Sequence, residues 1–394
     1  MKVEQIHLIV NNIQNNQLSK LVGEGNFEPI AINCENWVSV AKQLNDVLGT
    51  DRLTNALADQ IARMVFVDRL YMGEVPNVMR DSWEYGSIVE KIRTPLPEAV
   101  ENPTWKLENG KTYNQDIFKQ PEVVATFFND LTTYEIDFSY YKRQLKSAFQ
   151  SLEQLDRFLS MMRTAIQNSF KLKNDGLVMA TIGNMIAETL HTEFPEGNYG
   201  ADSKNKAVNL LHLYKAAFPD STVTAETCLT DPEFIRYATN IINQYVDRLA
   251  RFSTLFNIQG TEKFTPRDLL HVVMLTNLKS ASEIYLQAGT FNAEMVKLPY
   301  AETVPYWQSP GSSYSFNEVS EIHINSSEGN EVVASGILAV MFDHDAIAVC
   351  CEDMRVESHY NAKAEFINDF YKMDARYCND FSENFVVFYV ADAA

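Results

Sequence analysis

Few residues in this 394-residue chain have the types and spacing that chemistry needs. Asp343-His344-Asp345 has the composition of a metal site. In a strand, however, alternate side chains point to opposite faces, so only the two carboxylates would converge. The triplet also lies between two apolar runs, Gly336 to Phe342 and Ala346 to Cys351, where Asp favours a reversal by bonding nearby backbone. We read it as a turn. The remaining histidines, His7, His191, His212, His271, His323 and His359, show no HxxxH or HxH spacing. His271, inside the strand-like run Leu269 to Leu275, reads as a satisfied buried imidazole and not as a base. Cys34, Cys228, Cys350, Cys351 and Cys378 contain no CxxC pair and read as reduced structural thiols. No nucleophile elbow, dinucleotide fingerprint or phosphate loop occurs, and carboxylate pairs are too common in so acidic a chain to mark a site. The expectation is no catalytic residue, no cofactor site and no metal site. An enzyme whose site forms only in space stays open as an alternative, without support from any motif.

Composition narrows the classes further. A net charge of −19 argues against general nucleic-acid binding, because phosphates are neutralised by clustered Lys and Arg, and no basic run here reaches four. The amino terminus lacks a signal-peptide core, and no apolar run approaches the roughly 18 residues of a membrane span. The chain therefore reads as made and folded in the cytoplasm. With 46% apolar residues it can bury a core of two or three lobes.

The elements that would position side chains come in a definite order. Residues 1–30 hold one short apolar piece, Ile6 to Val10. Two amphipathic helices follow, one with Trp37, Ala41, Leu44 and Leu48 on a face, the other with Leu57, Ile61, Met64 and Val65. Between Met72 and Ile136 lie five prolines (Pro76, Pro95, Pro97, Pro103, Pro121) and two strand-like pieces, Ser87 to Ile92 and Val123 to Phe128. Asn109-Gly110 between them is a hairpin-turn signal. Such a stretch is either a surface excursion or a long hairpin that packs on another subunit. Ser151-Leu-Glu-Gln154 has capping-box form and opens a stripe through Leu152, Leu155, Leu159, Met162, Ile166 and Phe170. Asn174-Asp175-Gly176 predicts a break, with a second helix from Leu177 to Leu190. Lys206 to Phe218 reads as a helix. Asp231-Pro232 starts another, with a stripe of Ile235, Ala238, Ile242, Tyr245, Leu249, Phe252 and Phe256.

The chain closes on a β cassette from Val333 to Val390. Its first two apolar runs reverse at Asp343-His344-Asp345, and a mixed segment follows through His359-Tyr360-Asn361. Phe366, Ile367, Phe370 and Tyr371 would suit a helical stripe as well as a strand. The last run is Asn384-Phe-Val-Val-Phe-Tyr-Val390.

This order of parts resembles the major capsid proteins of tailed bacteriophages, with the Hong Kong 97-like fold, and leans toward the podovirus type that resembles phi 29. Gly336 to Ala346 looks like that family's strand pair closed at an acidic turn. His359 through Tyr371 is similar to its long aromatic-rich strand, and Asn384 to Tyr389 to its returning last strand. The resemblance implies an α+β chain with an N-terminal arm and helices (1–71), an extended E-loop hairpin (72–140), a spine helix and peripheral domain (141–196) and a central A-domain (197–332). Returning strands (333–394) would be shared between the two domains. It implies a shell of hexamers and pentamers around packaged double-stranded DNA, located in the virion and assembled in the host bacterial cytoplasm. Implied partners are further copies of the chain, a portal protein and DNA held without sequence-specific binding, with no membrane. No charged helical segment precedes the arm, so the scaffolding protein is expected to be separate. Some relatives cross-link through a Lys–Asn bond beside a catalytic Glu. Lys106 and Lys111 lie at the expected loop tip, but no such Glu is identifiable and no cross-link is expected. An encapsulin-type nanocompartment shell is the alternative within the same fold.

Overall fold

The computed structural model describes residues 89–97, 122–128, 131–141, 152–287, 302–327, 329–351 and 355–392. It also describes residues 11, 36, 39–40, 42–44, 46, 76–79, 99, 101, 108–111 and 120. The expected arm at Ile6 to Val10, the helix through Leu57 and Val65, and Ser151 of the capping box lie outside the described residues. So do Lys106 and the side chains of Leu152, Leu155, Leu159 and Met162. Of the first expected helix, Val40 and Leu44 are described and buried. The chain divides into two compact units. One contains Met1–Ser82, Leu131–Val178 and Val349–Arg376; the other contains Trp83–Asp130, Met179–Ala348 and Tyr377–Ala394.

In the first unit, strand β3 (Leu131–Tyr141) pairs antiparallel with β12 (Phe366–Asn379), from Tyr141 opposite Phe366 to Leu131 opposite Arg376. On its other side β12 pairs with β11 (Arg355–Asn361). Strand β10 (Ile347–Cys351) belongs to the same sheet. The segment that periodicity left undecided is therefore a strand, with Ile367 and Tyr371 buried on one face and Phe366 and Phe370 half-buried on the other. The single long strand expected from His359 onward is instead a hairpin. The Asn361 side chain accepts hydrogen bonds from the amides of Lys363 and Ala364, both at 3.1 Å, and this local bonding reverses the chain. Asp369 is buried within the sheet, where it accepts from the Tyr140 hydroxyl at 2.9 Å and from Ser358.

The second unit is built on a mixed five-stranded sheet in the order β4-β13-β9-β5-β6. Its strands are β4 (Ala207–Asn209), β5 (Leu270–Leu275), β6 (Glu302–Val304), β9 (Ile337–Asp343) and β13 (Phe385–Tyr389). Strand β13, the last in the chain, sits between β4, to which it is parallel, and β9, to which it is antiparallel. Alternate residues Val272, Met274, Ala339, Met341, Val386 and Phe388 share a core with helices α2 (Leu210–Ala217), α3 (Pro232–Leu249) and α4 (Thr276–Gln287). The intervening residues Val273, Val340, Phe342, Phe385, Val387 and Tyr389 are buried too. Burial on both faces explains why these strands read as continuous apolar runs and not as alternating ones.

The expected stripe of α3 is realised as far as Leu249: Ile235, Ala238, Ile242, Tyr245 and Leu249 are all buried. Asp231 caps it by accepting from the Glu233 amide at 2.8 Å, with Pro232 in the first helical position. The helix stops at Leu249, whose carbonyl accepts from the Thr265 amide at 2.8 Å, so Phe252 falls beyond it and is exposed. Ala207 and Val208 were expected within a helix; they form β4 instead, because the neighbouring β13 offers parallel strand pairing.

Two further expectations are corrected. The break at Asn174-Asp175-Gly176 is absent, and one helix, α1, runs from Leu152 to Glu193 over 42 residues. A glycine in a helix interior costs only about 1 kcal/mol, which the buried face beyond it (Leu177, Val178, Ile182, Met185, Ile186) outweighs. The turn at Asp343 does form, with the Ala346 amide donating to the Asp343 carbonyl at 2.9 Å. It does not close a hairpin, because β9 and β10 join different sheets.

The remaining described elements include a ribbon of β1 (Val89–Arg93) and β2 (Val124–Phe128), the short helix α5 (Phe316–Val319) and the hairpin β7–β8 (Ile322–Asn325, Glu331–Ala334). Among the described residues no helix is long and apolar enough to cross a membrane.

Two glycines give opposite expectations. Gly336 has φ +79°, and a Cβ there would overlap the carbonyl oxygen of Val390, where the last strand ends. Gly336→Ala should destabilise the second unit by about 3 kcal/mol or more, seen as a lowered thermal midpoint and lost soluble yield. Gly176 is exposed and a Cβ there meets nothing within 4 Å. Gly176→Ala should raise the midpoint, by about 0.5–1 kcal/mol of stability.

Candidate functional site

A dense polar arrangement in the second unit forms around the bend Asp380-Phe-Ser-Glu-Asn384, which joins β12 to β13. Asp380, Ser382, Glu383 and Asn384 are all buried. Backbone bonds from three places fix the bend: Asp380 N–H to Ala346 O (2.8 Å), Gln259 N–H to Phe381 O (3.1 Å) and Asp343 N–H to Asn384 O (3.0 Å). Buried carboxylates need a cation or several N–H donors to offset lost hydration. Lys91, on β1, supplies one: its ammonium donates to Asp380 Oδ2 at 2.7 Å and to Glu383 Oε1 at 2.5 Å. Lys263 donates to the same Glu383 oxygen at 2.7 Å. The other Asp380 oxygen accepts from the amide and hydroxyl of Ser382, at 2.9 and 2.7 Å.

The protonation chemistry follows from these contacts. Burial pushes the Asp380 carboxyl up, but the bonds from Lys91 and Ser382 outweigh it and leave the group below the usual range. Burial likewise opposes the charge on Lys91, yet Asp380 and Glu383 raise its pKa above the ordinary lysine value. Asp343 goes the other way. Burial holds its pKa above the usual range despite bonds from the Asp345 amide and Thr265, and Glu383 and Asp345 add repulsion.

The structure thus brings Asp343 to this cluster and turns His344 elsewhere. His344 Nδ1 lies 2.9 Å from His271 Nε2, and His271 stacks on Phe342 with Glu302 Oε1 at 3.5 Å from its Nδ1. His271 is half-buried with partners on both nitrogens. His191, His212, His323 and His359 are scattered over other elements, and His7 lies outside the described residues. Cys228 and Cys350 are buried thiols, and burial pushes Cys228 up to about 12, so it is not a nucleophile at neutral pH. Among the described residues no three His, Cys, Asp or Glu side chains form a group that could hold a metal ion.

Sequence reasoning missed Asp380 and Glu383. An interruption between strands that is polar at four of its five positions reads as a solvated loop, and its cationic partners lie 289 and 120 residues earlier in the chain. The ribbon itself was anticipated. Gly110 sits at φ +89° in the turn at Asn109-Gly110, and Lys111 N–H bonds Glu108 O at 3.3 Å. Strand alternation gives the ribbon two unlike faces. One carries Lys91 and Arg93, directed at Asp380, Glu383 and Gln259. The other carries Glu90, Ile92, Ala125 and Phe127, with Ile92 63% and Phe127 62% exposed.

A family model described as Phi29-like phage major capsid protein matches residues 10–389 of the chain. Among solved structures the chain is similar to the capsid of Staphylococcus phage Andhra, at 10% identity and a TM-score of 0.46, covering 82% of this chain and 84% of that one. It is similar to a chain from the structure of the head fiber and inner core protein of bacteriophage P68, at 10% identity and 0.46, covering 81% and 86%. It is also similar to the capsid of the Cyanophage P-SCSP1u, at 12% and 0.43, covering 83% and 92%. No curated protein matches it.

The raised Asp343 pKa makes a signed prediction. The native state binds this proton more tightly than the unfolded chain, so the group's contribution is full below pH 3.8 and is lost as pH rises through its native value. Asp343→Asn keeps an acceptor for the Asp345 amide and should melt higher than wild type at pH 7, with the difference closing toward pH 4. Asp343→Ala loses both bonds and should cost roughly 1–3 kcal/mol, measured by thermal melts across that pH range.

Proposed function

Because the chain belongs to the Phi29-like phage major capsid protein family, we propose that its copies assemble as hexamers and pentamers into an icosahedral shell around packaged double-stranded DNA. The protein is a shell-forming structural protein of the virion with a Hong Kong 97-like fold, and its copies associate with one another. The family match carries this reading, and it favours neither the nanocompartment nor the enzyme alternative. On the finer reading, residues 1–71 are the arm and its helices, 72–140 the extended loop and 141–196 the spine helix with the peripheral domain. Residues 197–332 are then the A-domain and 333–394 the returning strands. The protein has no catalytic role. It assembles in the host cytoplasm with a separate scaffolding protein and a portal protein, and it holds DNA without reading its sequence.

The acidity of the chain supports such a shell. A wall of net negative charge does not grip phosphates and leaves packed DNA free to enter and leave. The outer face of the β1–β2 ribbon supports the contact between copies: Ile92 and Phe127 are large, apolar and exposed, as a surface covered only on assembly would be.

Expression of the chain with its scaffold, followed by size-exclusion chromatography and negative-stain microscopy, tests the reading. Large closed particles are expected, and a monomer or small oligomer under all conditions would refute it. Ile92→Ser with Phe127→Ser should leave the melting of the unassembled chain within about 0.5 kcal/mol of wild type, because both positions are exposed. The same pair should abolish or strongly reduce particles in the micrographs. Because like-charged copies repel, particles should loosen at low ionic strength with chelator, seen as a lower melting temperature of the particle than in screening salt.

A further inference from the structure

We propose that Lys91 is a positioning residue, clasping the root of the β1–β2 ribbon to the buried bend at Asp380–Asn384 and so setting the direction in which the ribbon leaves its own subunit. The role this gives Lys91 in shell geometry rests on reading the ribbon as part of the extended loop that reaches a neighbouring copy.

The bend is a fixed anchor. Besides the backbone bonds from Ala346, Gln259 and Asp343, the Thr261 hydroxyl donates to Ser382 O at 2.8 Å, and the Phe385 amide donates to Phe256 O at 2.8 Å. None of these involves the ribbon, so they hold the bend independently of Lys91. The ribbon, by contrast, is tied sparsely. Among the described residues, the polar ties of its strands to the rest of the unit are those of Lys91 and a 3.4 Å bond from Arg93 to Gln259. A ribbon of two strands has little stability of its own, so its direction follows these ties.

The two carboxylates do not depend on Lys91 equally. Glu383 keeps Lys263 on the same oxygen. Among the described residues, Lys91 is the cation that meets Asp380, at Oδ2. Loss of Lys91 therefore strands one buried charge, and that charge is the one that draws the ribbon back. The groups facing the clasp are Asp380, Glu383, Asp343 and Lys263 from the body, the Asp345 carbonyl at 3.4 Å, and Arg93 beside it on the ribbon. With Asp380 held below the usual carboxyl range, the clasp is intact above that range and is lost as pH falls through the native value. With Lys91 raised, it also holds below pH 10.5 and is lost as pH rises through the native lysine value. The ribbon is thus held at neutral pH and released at the acid and alkaline ends.

Hydrogen exchange on the full, unassembled chain, corrected for intrinsic rates, tests this. The probes are peptides covering 89–93 and 124–128, with 385–389 as the internal reference. Wild-type ribbon protection should be level near neutral pH and fall in acid. Lys91→Met should lower ribbon protection on the order of tenfold, since charge-assisted bonds are lost, and Lys91→Arg should restore most of it. Lys91→Met with Asp380→Asn removes the stranded charge and keeps the fold. It should still lack ribbon protection, now with a flat acid profile. Unchanged ribbon protection in that double variant would overturn the proposal. So would an equal loss at 385–389, which would make Lys91 merely structural. The measurement does not need assembly. Lost protection with normal particles would leave the clasp standing and overturn the extended-loop reading on which its role in shell geometry rests.

Discussion

A carboxylate taken out of water must be met by a cation or by several donors, and this constraint draws together the second unit's distant segments. Asp380 and Glu383 are buried on a bend that the strands on either side force into the protein. Left unpaired, each would cost several kcal/mol, and the cations Lys91 and Lys263 offset that cost. Replacing such a cluster with apolar residues could leave the unit as stable. What the charges add is specificity: an ammonium at 2.7 Å from one carboxylate and 2.5 Å from the next accepts one placement of the ribbon and rejects others.

The same bend delivers the chain into its last strand, and that strand completes a sheet laid down much earlier in sequence. Strand β13 is buried on both faces, so water cannot satisfy its backbone, and both neighbours must be in place. Asn209 ties the arrangement off. Its side chain accepts from the His212 amide at 3.2 Å, as the cap of α2, and its amide donates to the Ala391 carbonyl at 3.0 Å. Gly336 allows the approach of Val390 that any side chain would block. Fold and closure are therefore one event, with contacts between residues near 208 and near 388 that cost loop entropy before they return any burial.

Features set by local rules were legible in the sequence. The α3 stripe as far as Leu249, the Asp231-Pro232 cap, the Asn109-Gly110 turn and the apolar runs of β5, β9 and β13 stand where periodicity and turn chemistry put them. The errors came where two local signals competed or where partners were remote. Asn174-Asp175-Gly176 carries a break signal worth about 1 kcal/mol, which packing on either side overrode. The turn at Asp343 was read correctly as a turn and wrongly as a hairpin, because two apolar runs joined by a tight reversal look alike whether they pair or part into separate sheets. The ribbon's strands were visible, but not the bend that Lys91 meets. A buried Asp and a solvated Asp have the same letter, and only the lysines 289 and 120 residues away distinguish them.

Strand alternation then gives the ribbon two independent tasks. Lys91 and Arg93 face the subunit's own body, while Ile92 between them and Phe127 on the paired strand face outward, so neighbouring positions on one short strand serve different contacts. On the proposed shell, a substitution outward would change how strongly copies hold one another, whereas one inward would change where the ribbon points. That separation suits a chain of net charge −19. Copies that repel at long range need contacts that act at short range, and apolar area supplies those without adding to the repulsion. Direction must then come from something more exacting than apolar area, which is non-directional, and the clasp of one lysine between two buried carboxylates meets that need.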